Sequence, residues 1–463
     1  MGGGNGKVIG RSVGGMALSV MLLAVLLLCG LPGSGSGAAD AAAAGRLYVG
    51  VASCAGSTCH GRMEADGKVV RQDELMRWQE PSTPGGAHSR AFAVLGGTRG
   101  RQIAATLGLG DPMAAPACLG CHSTPAAARG ARFLAQDGVG CEACHGPAGG
   151  WIASHYAVGA SHAGNVAAGM TPLDRPQARA SVCLDCHFGS ARDGQFVTHR
   201  IMAAGHPRIS FELDLFSSMQ AHHDEDADYA ARKGRTDSLQ LWAVGQAMAV
   251  ERALTLYAGS KGTEGAFPEF YFFDCQSCHR RIYDQAERGK SWEANPGRPI
   301  PAGMPPFNDE NMIMLSAVAR VAAPALAGRF DADSRAFHAA IARDRPSAVA
   351  AAGRLAQSAG ALAQAFAGGR MKGDMAFAIV REIAGTAISS RFTDYEGSVQ
   401  AVMAVDTLLN SLVRSGRVTV GAAAGIRADV NRAYAAVKEP NDYRPGDFRS
   451  ALGGAARSIG ALQ

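Results

Sequence analysis

Charged and aromatic side chains are both scarce, at 18% and 6% of the 463 residues, although 47% are hydrophobic. The 45 basic residues nearly balance the 40 acidic ones, and no Lys/Arg run is interleaved with aromatics, which excludes a nucleic-acid surface. Long apolar runs are equally few. The one from Met16 to Leu31 falls short of the ~20 residues a bilayer span needs. Lys7 and Arg11 precede it, and Pro32, a Gly/Ser stretch and Ala38-Ala39 follow, which is the order of a secretory signal. We therefore expect residues 1–39 to be a signal peptide and the protein to be exported to the periplasm, with a retained anchor as the alternative. The glycine clusters at Gly2 and Gly33 lie in this segment and support no phosphate loop, and nothing places Asp224 and Glu225 as a hydrolase dyad. From Asn308 onward there is no cysteine and a single histidine, His338.

What the sequence does have is 11 Cys and 13 His in a fixed relation. Apart from Cys29 in the signal, the cysteines form five close pairs, each followed directly by histidine. Four are Cys-x-x-Cys-His: Cys118/Cys121/His122, Cys141/Cys144/His145, Cys183/Cys186/His187 and Cys275/Cys278/His279. The first, Cys54/Cys59/His60, has four intervening residues. Random placement at this composition would give roughly 0.007 copies of Cys-x-x-Cys-His. Coincidence is excluded.

The spacing fits haem c. Two thiols form thioethers with the two vinyl groups of one haem, and the next residue presents an imidazole to its iron. Zinc is the nearest rival, but zinc sites need no histidine fixed directly after each cysteine pair. A thioredoxin-like redox site needs only one pair and a strand–helix alternation that is not seen here. The expected complement is five covalently attached haems with their iron, and no cysteine is left for structural disulfides. At the stretched first motif a bare dithiol or disulfide is the alternative.

Each iron has a second axial position, and eight further histidines are available: His88, His155, His162, His199, His206, His222, His223 and His338. Seven lie among or between the haem motifs, so bis-histidine ligation is the default expectation. His222 and His223 precede Asp224-Glu225-Asp226, a solvated acidic loop, and are weaker candidates. His338 lies on a helical stretch far from the motifs and reads as structural or exposed. Gly205 and Pro207 flank His206, which would hold its imidazole on a stiff projecting turn.

The segment Gly138-Val-Gly-Cys141-Glu-Ala-Cys144-His145-Gly146-Pro147, with Trp151 and His162 after it, and the run from Ala204-Gly205-His206-Pro207 to Leu213, resemble multihaem cytochromes of the cytochrome c-554 type. The resemblance covers roughly residues 48 to 285. It implies distal iron-ligand roles for His88, His155, His162, His199 and His206, with packed haem pairs passing electrons along a chain. Five motifs exceed the tetrahaem count of that family, and the first is expanded. Some members keep one haem without a distal protein ligand.

The expected fold is mainly α. A loop-rich haem domain over 40–294, in which haems form the core, precedes a Pro-rich linker at 295–307 and an Ala-rich helical bundle domain at 308–463. The 59 Gly and 20 Pro suit the loop-rich part. Ser238–Tyr257 reads as a helix leading to the fifth motif. In the bundle, helices are expected over 312–327, 334–343, 347–367, 374–389, 395–414 and 420–437, with a capping box at Thr393–Glu396. Ile379, Val380, Ile383, Val402, Leu408, Leu409 and Leu412 are its expected core.

Two function classes follow. One is an electron carrier with all haems six-coordinate, exchanging electrons with other redox proteins or a membrane quinol-linked complex, with room for peripheral membrane contact. The other is a multihaem oxidoreductase with one open iron acting on a small nitrogen or sulfur compound.

Overall fold

The structure is a computed structural model that describes residues 1–3, 46–63, 72–223, 227–263, 268–279, 298–301, 304–387, 389 and 395–463. The signal segment from residue 4, the acidic residues 224–226, the capping residues Thr393 and Asp394 and parts of the linker lie outside them. Among the described residues the chain is mainly helical, and no helix is long and apolar enough to cross a membrane.

The described N-terminal part is built of short pieces, the longest described helix before residue 200 being Pro176–His187, of 12 residues. Local signals set their ends. Pro116 and Pro176 sit in the first turn, where the missing N–H costs nothing. Thr198 caps His199–Ala203 by accepting from the Ile201 N–H, and Glu212 caps Leu213–Met219 by accepting from the N–H groups of Asp214 and Leu215. Two short strands, Leu47–Tyr48 and Ala128–Arg129, pair in parallel.

Longer helices follow: Ser238–Ala258, Glu310–Ala322, Pro324–Ile341, Arg345–Gly368, Met375–Ala387, Tyr395–Arg414, Val420–Ala436 and Pro445–Gly460. The expected helix over 312–327 is interrupted at Ala323, because Pro324 cannot donate back into the preceding turn and instead starts the next helix. The last helix was not anticipated from the sequence. Gly446, Gly453 and Gly454 weaken its propensity by about 1 kcal/mol each, yet Phe448, Ala451, Leu452, Ala455 and Ile459 recur at helical spacing and are all buried.

One apolar cluster runs from Phe196 to Ile459 and contains every expected bundle-core position named above. The Ser238–Ala258 helix belongs to it, with Trp242 and Tyr257 fully buried, and packs along Arg345–Gly368 on one side and Pro176–His187 on another. It is thus the shared wall between the motif-bearing part and the bundle. A second, small cluster of Ala180, Leu184, Phe188, Phe211, Leu213, Leu241 and Ala249 fills the seam beside it.

Polar contacts fasten the same seam. Gln400 Nε2 donates to the Phe211 carbonyl at 2.8 Å, and Thr407 Oγ1 donates to Glu212 Oε2 at 2.8 Å. Glu396 accepts from the Cys275 N–H at 3.1 Å, while Arg208 lies between Glu310 and Glu396, 3.8 and 3.9 Å away, and 3.4 Å from Cys275 Sγ. The bundle packs directly against the segment that carries the fifth motif.

Candidate functional site

In an α-helix, positions i, i+3 and i+4 share one face, so Cys-x-x-Cys-His directs two thiols and an imidazole to the same side. Three motifs are helical in this way, each with its histidine at the helix C-terminus: Pro116–His122, Cys141–His145 and Pro176–His187. The fifth lies on a short 3₁₀ turn, Cys275–Ser277. In the stretched first motif the extra residues form a turn, and the His60 N–H still donates to the Cys54 carbonyl at 3.2 Å. No two of the ten motif cysteines are joined in a disulfide.

The ten motif cysteines are not equally placed: nine are half-buried and one, Cys278, is exposed. Cys278 is exposed, and Cys59 is half-buried behind the exposed residues Gly56, Ser57 and Thr58. Their sulfurs lie beside neighbouring hydroxyls, Cys59 Sγ 3.9 Å from Thr58 Oγ1 and Cys278 Sγ 3.8 Å from Ser277 Oγ. Neither motif forms the α-helical turn of the other three, and the 3₁₀ turn of the fifth ends at Ser277, before the exposed second cysteine. Cys54 faces Cys141, and Cys275 Sγ lies 3.4 Å from Arg208 Nη1.

Every motif histidine faces another histidine. Ring centroids are separated by 6.0 Å for His60 and His155, 6.3 Å for His122 and His206, 6.3 Å for His187 and His88, and 6.0 Å for His279 and His199. His145 faces two, His222 at 6.2 Å and His223 at 6.4 Å. With metal–nitrogen bonds of about 2.0 Å and about 1.1 Å from nitrogen to ring centre, two imidazoles held on opposite sides of one metal ion have centroids about 6.2 Å apart, against about 5 Å in a tetrahedral site. The ligating nitrogens of His145, His222 and His223 all lie within 4.8 Å of one another.

The motifs themselves are neighbours. The Cys54 thiol faces Cys141, Cys121 faces Cys186, and Cys144 lies close enough to Cys183 and Cys186 to feel their charge. Motifs one, three, four and two therefore form a contiguous row. Close backbone approach makes this row: a Cβ at Gly120 would collide with the Gly194 carbonyl oxygen, and Gln195 Nε2 donates to the Gly120 carbonyl at 3.0 Å. The fifth motif joins through one segment, 199–206, which carries both His199 and His206.

Buried carboxylates anchor the row. Glu142, inside the third motif and 4% exposed, accepts from the N–H groups of Val49, Gly50 and Ala148 at 2.9, 2.7 and 2.7 Å. Glu74 lies with one oxygen 3.1 Å from His60 Nδ1 and the other 3.0 Å from His223 Nδ1. Although burial opposes its charge, these imidazoles hold its carboxyl down at about 2. Elsewhere Nδ1 donates to backbone carbonyls, from His122 to Ala91 at 2.7 Å, from His206 to Pro207 at 2.8 Å and from His222 to Gln220 at 2.9 Å. Burial pushes His145 down to about 3 and His187 to about 4, so both imidazoles are neutral and their nitrogens are free to ligate.

The structure places the other candidates differently. Gly205 has φ +116°, a conformation open to glycine, and its carbonyl accepts from Arg99 Nε at 2.8 Å, which fixes the turn before His206. His162 is exposed, its Nε2 3.1 Å from Asp174, and among the described residues it has no ring contact with a motif histidine. His222 and His223, ranked low on the sequence because of the acidic residues after them, stand beside His145. His338 is buried, with Nε2 3.3 Å from Asp309. Glu74 and Glu142 were not singled out from the sequence. Glu142 lies inside a motif, but Glu74 is 14 residues from one partner and 149 from the other, and no local pattern marks it.

These residues fit haem c. Paired thiols suit its vinyl groups, with Cys278 exposed. The opposed imidazoles have the spacing of two axial ligands, and Trp151 Nε1, beside His155, is a buried donor with no acceptor among the described residues, as an oxygen-bearing substituent would require. Residues 53–146, spanning the first three motifs, match the family described as cytochrome c554 and c-prime. The match supports a c-type cytochrome. It brings with it covalently bound haem c and electron transfer. No curated protein and no solved structure matched the chain.

Proposed function

We propose that this chain is an exported, periplasmic pentahaem electron carrier that exchanges electrons with other redox proteins or a membrane quinol-linked complex. The carrying observation is that each of the five motif histidines faces a second histidine at 6.0–6.4 Å. Bound haem c supplies a one-electron iron couple. The thiols of Cys54/Cys59, Cys118/Cys121, Cys141/Cys144, Cys183/Cys186 and Cys275/Cys278 would tether it, with His60, His122, His145, His187 and His279 as one set of iron ligands and His155, His206, His223, His88 and His199 as the other. That set would leave no iron open to a substrate, which favours a carrier over an oxidoreductase with an open site. The row of motifs gives the order first, third, fourth, second and fifth for electron passage.

Mass measurement on the denatured mature chain should find five haems, and the oxidised spectrum should be wholly low-spin. A mass corresponding to four would remove the expanded motif from the set. High-spin iron in the wild type would restore the oxidoreductase reading. His206→Ala should convert one haem of five to a high-spin or water-ligated form, and an unchanged low-spin spectrum would overturn that pairing.

A further inference from the structure

A single buried carboxylate touches ligands of two different motifs. Glu74, 8% exposed, starts the Glu74–Trp78 helix and offers Oε2 to His60 Nδ1 at 3.1 Å and Oε1 to His223 Nδ1 at 3.0 Å. The Leu75 N–H donates to the His60 carbonyl at 3.0 Å, so the helix start is tied to the first motif as well. The two motifs concerned are adjacent, since the thiols of Cys54 and Cys141 face one another. His122, His206 and His222 instead donate Nδ1–H to neutral backbone carbonyls.

We propose that Glu74 is a shared positioning carboxylate, which orients the imidazoles of His60 and His223, makes both more basic as iron ligands, and so ties the reduction potentials of the first and third haems together. The inference rests on the bis-histidine reading above. A carboxylate is the stronger acceptor for an N–H, and an imidazole that donates to it is a stronger electron donor through its other nitrogen. A more basic axial ligand favours ferric over ferrous iron, so both couples are held more negative than they would be with a carbonyl partner. The same contact selects His223 over His222 as the ligand opposite His145. One oxygen serves each imidazole, so no rearrangement of Glu74 can strengthen one contact without weakening the other.

The test is a spectroelectrochemical titration of the full-length holoprotein as wild type, Glu74→Gln and Asp174→Asn. The amide of Glu74→Gln keeps one acceptor and loses the charge. Two of five couples should move to more positive potential in Glu74→Gln and none in Asp174→Asn, which alters only the exposed His162 contact. In a His223→Ala background, where His222 takes the iron, the Glu74→Gln change should move one couple only. The proposal is overturned if no couple moves, if all five move together, or if two still move in the His223→Ala background. Should Glu74→Gln fail to mature, Glu74→Asp keeps the charge but is too short for both nitrogens; it should move one or both of the same couples, and unchanged potentials would overturn the idea. A wild type without five low-spin haems would defeat the bis-histidine reading instead, so the two failures are distinguishable.

Discussion

The motif-bearing part and the bundle are both helical, but they are filled differently. From Glu310 onward side chains make the interior: Phe330, Phe337, Leu355, Leu408, Leu409 and Phe448 are fully buried in one continuous cluster. Between residues 46 and 187 the buried apolar residues are scattered, with Phe92, Leu95, Trp151 and Leu184 the large ones among the described residues, and eight half-buried thiols and paired histidines stand where a core would be. Burial of apolar side chains at about 25 cal/mol per Å² drives ordinary folding. A region with so little of it needs another source of stability, and covalently attached haem is the one its residues are arranged to take.

The sharpest way to break the comparison is to withhold haem. Full-length chain made without attachment should be cut by protease within residues 72–223 while the region 304–463 resists, and equal sensitivity or equal resistance of the two parts would show that they do not differ in this way. Next in size is a cavity in the bundle. Phe337→Ala removes a fully buried ring packed edge-on against Tyr257 and Phe307, and should lower unfolding free energy by about 3–5 kcal/mol with the low-spin spectrum unaltered. A changed spectrum would mean the two parts are not separable.

The smallest effect sits at the seam. Burial, with Asp214 nearby, pushes the Glu212 carboxyl up to about 7 from an ordinary 4.5. The folded state then keeps a proton that the unfolded chain has lost, so stability falls as pH rises from about 4.5 to about 7. Burial gives Glu310 the same sign. Denaturant unfolding of Glu212→Gln across that window should therefore show a shallower decline than wild type, and an identical slope would mean that Glu212 titrates normally.

Much of this was legible in the sequence because it rests on local spacing. Cys-x-x-Cys-His marks its sites without any tertiary knowledge, and the 3.6-residue recurrence of Ile379, Val380 and Ile383 or of Leu408, Leu409 and Leu412 marks the bundle core. Spacing does not say which thiol of a pair is exposed, and the exposure of Cys278 goes with a 3₁₀ turn that the motif pattern leaves open. The pairing of histidines is long-range, and sequence order does not reveal it: His88 precedes four motifs yet faces the third of them at His187, and His155 lies after the third motif of the chain yet faces His60. His222 and His223 were discounted because the acidic residues after them look solvated, whereas the chain turns His222 and His223 inward before reaching those residues. Glu74 was invisible for the same reason, since its meaning exists only once residues 60 and 223 have been brought together.

The adjacent pair opposite His145 has a consequence for how the chain tolerates change. With two imidazoles at 6.2 and 6.4 Å from the same partner, loss of either by a single codon substitution leaves a ligand within reach. On the ligation proposed above, position 223 would be a place where inheritance can retune one couple without costing the protein a cofactor, while the other four distal candidates have no second histidine beside them among the described residues, and a first substitution there would be felt at once.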